Sequence, residues 1–401
     1  MLRVRVPGEH ARVSTFELFF DLIFVFAVTQ LSHKLAGNLT GEGVLQATLL
    51  LLAIWWVWVY TTWATNFTDP DHLAVRLVLV AIMLGGLIMS AAIPEAFDGR
   101  GYAFAIPYVA IQVGRSAFVL FAGRDDELFR RNFLRITVWL AGAGVIWLAG
   151  AAADNEGRVA LWIAALAIEY AGPPAGFWLP RIGKSAASDW HVEGAHMAER
   201  CGLFIIIALG ESLLVTGATF SGHPWTNGTV LAMVSAFSAA VAMWWVYFDV
   251  MAEAASERIA HASDPGALAR LAYTYFHLPM VAGIVVVAVG DELVLAHPHG
   301  STSLSEGLTI AGGPALFLAG YALFKRAIVG RFFGFHALLF ALLAAAFGAR
   351  EAVSPVALTW LTTAVLVTAA VRGRFGHRPA PTFEVEPERG TAAEAPGLAP
   401  D

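Results

Sequence analysis

Long apolar runs separated by short polar stretches occupy most of the chain. Runs of about twenty residues are informative, because a helix of that length crosses a bilayer core of about 30 Å. Twelve runs of this kind are bounded by charged residues, glycine or proline, and they predict membrane-spanning helices at 16–37, 44–64, 73–94, 102–122, 133–153, 159–179, 202–222, 229–249, 270–290, 307–327, 332–349 and 352–371. Because runs such as 49–58 lack the alternation of a β-barrel strand, the pattern indicates an all-α, polytopic membrane helix bundle.

The composition and charge of the chain are typical of a protein embedded in a lipid bilayer. Of its 401 residues, 58% are apolar and only 14% are charged, and the mean hydropathy is +0.65. A net charge of −6, with 25 cations dispersed among apolar runs, excludes a nucleic-acid partner. Cys201 is the only cysteine, so a disulfide within the chain is excluded. The predicted partners are the lipid bilayer and an unknown small solute or proton.

The distribution of Lys and Arg predicts the orientation, since cations near span ends are retained on the cytoplasmic side. With the N-terminus inside, 20 of the 25 cations fall on inner segments, four fall on outer segments and Arg115 lies inside a span. This asymmetry predicts an inner-membrane protein with both termini in the cytoplasm. The first apolar run carries Glu17 and Asp21 and no cleavage pattern follows it, so it does not read as a removable signal peptide.

The two halves of the chain share short matches that occur in the same order. They are Trp58-Val59-Tyr60 with Trp245-Val246-Tyr247, Asp69-Pro70 with Asp264-Pro265, Gly86 with Gly283, Ala91 with Ala288, Glu95 with Glu292, and Val159-Ala160-Leu161 with Val356-Ala357-Leu358. The order predicts two parallel six-span repeats, 16–179 and 202–371, related by an axis along the membrane normal. A cytoplasmic N-terminus (1–15), a cytoplasmic connector (180–201) and a disordered, proline-rich and acidic cytoplasmic tail (372–401) complete the predicted organisation.

Two segments carry polar residues inside apolar helices. Residues 16–31 read FELFFDLIFVFAVTQL, and residues 199–212 read ERCGLFIIIALGES. Both resemble signatures of the bacterial low temperature requirement A (LtrA) family, and the likeness covers roughly residues 12–375. The resemblance implies a multi-pass inner-membrane protein linked to growth at low temperature. It implies no reaction and no role for Cys201.

Acidic residues inside the predicted spans are candidates for function, because a charge at the bilayer centre costs about 2.5 to 3.5 kcal/mol on insertion scales. Glu211 lies near the middle of the seventh span, where it could exchange a proton or bind a cation. The alternative is a buried hydrogen bond that locks the two halves together. Glu17 and Asp21 are four residues apart and share one helix face. For Glu17 the alternative is a capping box with Ser14.

Arg115 is the only cation well inside a predicted span. It requires a carboxylate, for which Asp21, Glu169 and Glu211 are the candidates, or it forms an anion-binding site. Glu169 and His277 also lie near mid-depth. His277 could relay a proton or could simply pack against its aromatic neighbours.

No motif predicts an enzyme, a cofactor or a metal site. Walker A, dinucleotide-binding and nucleophile-elbow patterns are absent, so we expect no catalytic residue and no cofactor. The connector residues His191, Glu193, His196 and Glu199 match no zinc signature and predict a solvated interfacial helix instead.

The duplication and the mid-depth polar residues together predict a proton-coupled secondary transporter or permease of unknown substrate. The candidate pathway residues are Glu211, Asp21, Glu17, Arg115, Glu169 and His277. One alternative is a non-transporting membrane scaffold or cold-adaptation protein, whose central polar residues would pair fully and leave no accessible cavity. Another is an intramembrane enzyme that acts on lipid, which would require Asp21, Asp249 and Glu253 to cluster.

Overall fold

The computed structural model describes residues 1–3, 13–186, 189–190, 192–248, 265–330 and 334–375, and every regular element in those ranges is helical. The helices are α1 (Thr15–Gly37), α2 (Gly41–Phe67), α3 (Leu73–Ala92), α4 (Gly101–Ala122), α5 (Glu127–Ala152), α6 (Asn155–Ala171), α7 (Gly194–Ser221), α8 (Asn227–Phe248), α9 (Gly266–Ala296), α10 (Leu304–Val329), α11 (Gly334–Gly348) and α12 (Pro355–Phe375). Within α9, a π-helical stretch, Arg270–Tyr275, precedes the regular helix His277–Ala296. Each predicted span overlaps one of these helices.

Most of the helices have the length and composition of membrane spans. Among the described residues, ten helices are long and apolar enough to cross a membrane. The exceptions are α6, which has 17 residues, and the apolar α11, which has 15. The all-α, polytopic prediction is therefore confirmed, while the count of twelve spans stays a prediction.

Apolar side chains cover the outside of the bundle as well as its interior. Leu73, Val145 and Leu214 each leave about two thirds of their surface exposed, at 68%, 68% and 67%. By contrast, α2, α9 and α10 are the most enclosed helices, and Trp56 and Trp58 of α2 are completely buried. An apolar exterior around an aromatic interior is what we expect of a bundle surrounded by lipid acyl chains.

The helices of each half pack in the same order. In the first half α1 contacts α2 and α3, and contacts follow between α3 and α4, α4 and α5, α5 and α6, and α2 and α6. Each of these pairs recurs six helices later, from α7 to α12. Two parallel repeats would produce this order, and the repeat itself stays a prediction. Between the halves, α1 packs on α7 and α9, and α2 packs on α7.

The helix ends lie at two faces of the bundle. The N-terminal face carries the starts of the odd-numbered helices and the ends of the even-numbered ones, and there Arg3 N donates to Phe67 O at 2.9 Å. The opposite face carries the other helix ends, where Arg158 Nη1 donates to Asp98 O at 2.8 Å. The connections at the opposite face, 38–40, 93–100, 153–154, 222–226, 297–303 and 349–354, are described without a gap.

Helices α9 and α10 pack closely against each other at glycine residues. A Cβ placed on Gly283 would lie 2.4 Å from Phe317 N, and one on Gly320 would lie 2.8 Å from Met280 N. Small residues allow helix backbones to approach this closely inside a membrane. The close contact between α9 and α10 therefore depends on the absence of side chains at these two glycines.

Candidate functional site

Four ionisable side chains meet where α1 faces α7, and we call them the seam network. Glu17 and Asp21 come from α1, His196 and Arg200 come from α7, and all four are 0% exposed. Arg200 Nη2 donates to Asp21 Oδ1 at 2.7 Å, and Arg200 Nη1 lies 3.7 Å from Glu17 Oε1. His196 Nε2 donates to Glu17 Oε1 at 2.9 Å. Arg3 Nη2 lies 3.9 Å from Glu17 Oε2, so two carboxylates face two guanidinium groups.

Helical spacing explains how both sides of the seam network come into register. Residues four apart lie on one helix face, and both the α1 pair and the α7 pair have this spacing. The start of α1 is set by the predicted capping box, which is confirmed: Glu17 N donates to Ser14 Oγ at 3.2 Å, and Ser14 N donates to Glu17 Oε2 at 2.9 Å. The same carboxylate therefore both caps its own helix and binds α7.

The neighbouring helix α2 supplies neutral hydrogen-bond groups to the seam network. Trp58 Nε1 donates to Asp21 Oδ1 at 2.8 Å, and Asn66 Nδ2 donates to His196 Nδ1 at 3.2 Å. Not every atom is satisfied, since Asp21 Oδ2 has no hydrogen-bond partner among the described residues. Three helices from both halves of the chain are thus held by one buried polar cluster.

Two members of the seam network were misjudged from the sequence. The connector residues were predicted to form a solvated interfacial helix, and this is wrong for His196, which is completely buried. The predicted cytoplasmic connector, 180–201, includes Arg200, but α7 already begins at Gly194 and buries this residue. Arg115 is therefore not the only buried cation within a helix. The four-residue spacing of His196 and Arg200, which matches that of Glu17 and Asp21, was the signal available.

Arg115 forms no ion pair with any of its candidate carboxylates in the described chain. Its Nη1 donates to Val57 O at 3.2 Å and to Thr61 Oγ1 at 3.1 Å, and its Nη2 donates to Gln112 Oε1. The guanidinium lies over the ring of Tyr60, 5.4 Å from its centroid. The residue is 3% exposed, so a positive charge is buried among neutral partners.

Glu169 of α6 connects three helices of the first half by hydrogen bonds to side chains of α4 and α5. Its Oε2 accepts a hydrogen bond from Tyr108 OH, and its Oε1 accepts one from Trp147 Nε1 at 3.2 Å. Gln112 Nε2 donates to Tyr108 OH at 3.2 Å. Because Gln112 also accepts a hydrogen bond from Arg115, a continuous chain of hydrogen bonds runs from Arg115 through Gln112 and Tyr108 of α4 to Glu169 of α6.

Helix α2 separates this chain of hydrogen bonds from the seam network. Trp58 lies on the side of α2 that faces α1 and α7, and it binds Asp21. Val57 and Thr61, on another side of the helix, bind Arg115 of α4. Asp21 and Arg115 therefore face different sides of α2 and do not share one interior space.

The remaining two predicted residues differ in how they are bound. His277 is completely buried, and its Nδ1 lies 2.9 Å from Ala272 O while its Nε2 lies 2.8 Å from Tyr247 OH. Since a carbonyl only accepts, Nδ1 carries the proton and Nε2 accepts from the tyrosine, which matches a packing histidine. Glu211 is 4% exposed, and no described residue forms a hydrogen bond or ion pair with it.

A pocket opens toward the N-terminal face between the first half and the start of α9. Six of the residues that line it are aromatic, among them Trp63, Phe67 and Trp190, and we call it the aromatic pocket. Two guanidinium groups also line it, those of Arg115 and Arg270. Arg115 is the only predicted site residue in its walls, and it lies about two turns from the end of α4. An apolar body with an anionic group would fit these walls.

Other predicted groupings lie partly outside the described residues. His191, Asp249 and Glu253 belong to that part of the chain, so the enzyme alternative stays a prediction. Within the described ranges, no three His, Cys, Asp or Glu side chains come together in a way that could hold a metal ion.

Comparison with known proteins decides the family. The model of the family described as bacterial low temperature requirement A protein matches residues 12–371. The chain belongs to this family. An uncharacterized protein of Rhizobium meliloti (strain 1021) is 40% identical over 365 residues, which cover 90% of this chain and 89% of the relative. No solved structure matches.

The two segments that resemble low temperature requirement A signatures meet in space. Segment 16–31 carries Glu17 and Asp21, and segment 199–212 carries Arg200 and Glu211. Three of these four residues bind one another in the seam network. The polar residues of these two segments thus include the contact between the two halves of the chain.

Proposed function

We propose that this protein is a membrane permease, and that the aromatic pocket binds its substrate, an amphipathic organic anion. The observation that carries the proposal is Arg115, a buried cation in the pocket wall that has only neutral hydrogen-bond partners among the described residues. The proposal extends to an inner-membrane location with both termini in the cytoplasm, which the distribution of Lys and Arg supports.

The charge of Arg115 supports an anionic substrate group. Carbonyl, hydroxyl and amide oxygens satisfy its N–H groups without neutralising its charge. In a medium of low dielectric constant, a charge that has no directly bound counter-ion attracts an anion much more strongly than it does in water. Arg270 lines the same pocket and donates to Pro173 O at 3.1 Å, so a second cation is held near the entrance. The aromatic walls suit an apolar substrate body.

The other candidate residues receive separate roles in this proposal. Glu211 is the proton carrier, because it is buried near the middle of α7 and no described residue binds it. Glu17 and Asp21 hold α1 to α7. Glu169 orients Arg115 through the intervening hydrogen bonds, and His277 packs α9 against α8 through Tyr247.

A non-transporting scaffold or cold-adaptation protein is the second candidate. The seam network favours it, because buried groups that bind one another across the two halves would be needed in a static bundle. That candidate also predicts no accessible cavity, and the pocket beside Arg115 favours the permease.

Binding of a simple probe tests the substrate site. We would measure equilibrium binding of labelled naphthalene-1-sulfonate to the purified protein, with the uncharged naphthalene-1-sulfonamide as the matched compound. The sulfonate should bind more tightly, and Arg115→Gln should weaken its binding about tenfold or more, because a charged hydrogen bond is worth about 1.5 to 3 kcal/mol. Arg158→Gln is the matched variant, since Arg158 is also buried but lies at the opposite face. Equal binding of both compounds would refute the anion site.

Flux in proteoliposomes tests transport itself. With an imposed pH gradient, the wild-type protein should accumulate naphthalene-1-sulfonate, and Arg115→Gln should abolish the accumulation. Glu211→Gln should remove the response to the pH gradient while leaving probe binding intact. Unchanged gradient-driven flux in Glu211→Gln would remove that residue from the mechanism, and binding without any flux would favour the scaffold.

A further inference from the structure

A second, small cavity, with room for about one water-sized species, lies between α8, α9, α10 and α12. Asp291 of α9 lines it, together with Thr359, Thr362 and Thr363 of α12. Asp291 is 4% exposed, and no described residue donates a hydrogen bond to its carboxylate or pairs with it. The cavity lies in the part of the bundle near the opposite face, where the connections are described without a gap.

Two of the three threonine hydroxyl groups that line the cavity with Asp291 donate their hydrogen bonds to backbone carbonyls. Thr359 Oγ1 donates to Pro355 O at 3.0 Å, and Thr362 Oγ1 donates to Thr359 O at 3.0 Å. Thr363 Oγ1 lies 3.1 Å from Ser235 Oγ, so one of that pair donates to the other. A hydroxyl that donates to a carbonyl still presents its own lone pairs. The cavity wall therefore places one carboxylate and three threonine side chains among apolar neighbours such as Val287 and Ile310, and two of the three threonines cannot donate to that carboxylate.

We propose that this cavity is a binding site for a monovalent alkali cation. A buried carboxylate that lacks donors is costly, and a bound cation removes that cost. Carboxylate and hydroxyl oxygens are hard ligands, which suit alkali cations better than soft metals. One carboxylate neutralises one positive charge, whereas sites for divalent cations commonly use several carboxylates. The inference does not rest on the proposed function, because cation binding can be measured without any flux.

Thermal unfolding of the purified full chain in detergent tests the site. NaCl or KCl would replace choline chloride at constant ionic strength, so that only the identity of the cation changes. A ligand that binds only the folded protein raises the unfolding midpoint as its concentration rises above its dissociation constant. The wild-type midpoint should therefore rise with Na⁺ or K⁺ concentration and should saturate.

Three variants separate a cation site from a merely structural carboxylate. Asp291→Asn should lose the response, and in choline chloride alone it should unfold at or above the wild-type midpoint, because it removes an unpaired charge. Thr362→Val should raise the half-saturating cation concentration severalfold. Glu292→Gln should keep the full response, since Glu292 has a buried Oε2 without a partner in the described residues but does not line the cavity.

The outcomes are distinct. The site is supported if the unfolding midpoint of Asp291→Asn is the higher one in choline chloride and that of the wild type is the higher one in NaCl or KCl. Equal midpoints in all three salts, or an unchanged cation response in Asp291→Asn, would overturn it. Size-exclusion elution of each variant checks that the comparison is made between folded proteins.

Discussion

Removal of Arg200 from the seam network should destabilise the protein more than any other single substitution in that network. Arg200→Met keeps much of the side-chain length and removes the charge, so packing changes little. Among the described residues, Glu17 retains His196, Ser14 and Arg3 as partners, whereas Asp21 retains only the hydrogen bond from Trp58. A completely buried carboxylate is then left without its counter-charge.

The expected cost follows from the burial of the pair. Removing one partner of a buried ion pair typically costs about 3 to 5 kcal/mol, because the other charge stays buried and uncompensated. Asp21→Asn should cost less, about 1 to 3 kcal/mol, since Arg200 still lies 3.7 Å from Glu17. In the double variant no unpaired carboxylate remains at position 21. Its cost should therefore fall below the sum of the single costs by at least about 1 kcal/mol.

The chain contains its own reporter for this measurement. Cys201 is the only cysteine, it is 1% exposed, and it follows Arg200 directly on α7. A thiol-reactive fluorogenic dye can reach it only when α7 opens. When opening is faster than labelling, the labelling rate follows the free energy of opening, and each 1.4 kcal/mol corresponds to a factor of ten. Arg200→Met should therefore accelerate labelling by roughly two to three and a half orders of magnitude.

Two results would refute this reasoning. A labelling rate within a factor of about three of the wild type would mean that the buried ion pair does not hold α7, since such a factor is below 1 kcal/mol. Strictly additive effects of Arg200→Met and Asp21→Asn would mean that the two residues act independently, despite the 2.7 Å contact. Cys201→Ser, which cannot react, controls for labelling of the detergent.

Further predictions concern packing, hydrogen bonding and orientation. Gly283→Ala should lower the free energy of unfolding by about 1 to 3 kcal/mol, because its methyl group would meet the backbone of Phe317, whereas Gly312→Ala, with open space around it, should be neutral in the same denaturation assay. Tyr247→Phe should cost about 1 to 3 kcal/mol by leaving Nε2 of the buried His277 without its donor, and a neutral effect would contradict that hydrogen bond. Reporter domains fused to either terminus should both be active only in the cytoplasm, and a periplasmic signal from one terminus would contradict an even number of spans.

The positions of the helices could be predicted closely where apolar runs end at capping residues. The first span was predicted at 16–37 and α1 is Thr15–Gly37, because Ser14 and Glu17 form the capping box that the sequence displays. The third was predicted at 73–94 and α3 is Leu73–Ala92, where the His72 side chain caps the helix start by accepting a hydrogen bond from Ala74 N. Hydropathy and local capping are properties of neighbouring residues, so they can be read from the chain directly.

The site was harder to predict, because polar residues that bind distant partners look like span boundaries. The seventh span was predicted to begin at residue 202, but α7 begins at Gly194, and the omitted turns carry His196 and Arg200. The ninth was predicted to end at residue 290, so Asp291 was excluded, although α9 continues to Ala296. A window of hydropathy penalises a charge whether or not another helix compensates it. The partner of Arg200 lies 179 residues away, and the sequence does not reveal that pairing.

The seam network also limits how a transporter with this architecture could change shape. If the two six-helix halves rocked as separate bodies, each cycle would have to pull Arg200 away from Asp21 in a dry interior. That separation is expensive enough to slow turnover severely. In any alternating motion, α1, α2 and α7 should instead stay together as a stationary core, and the peripheral helices should move relative to it. The boundary between moving and stationary parts would then cut across both halves of the chain instead of running between them.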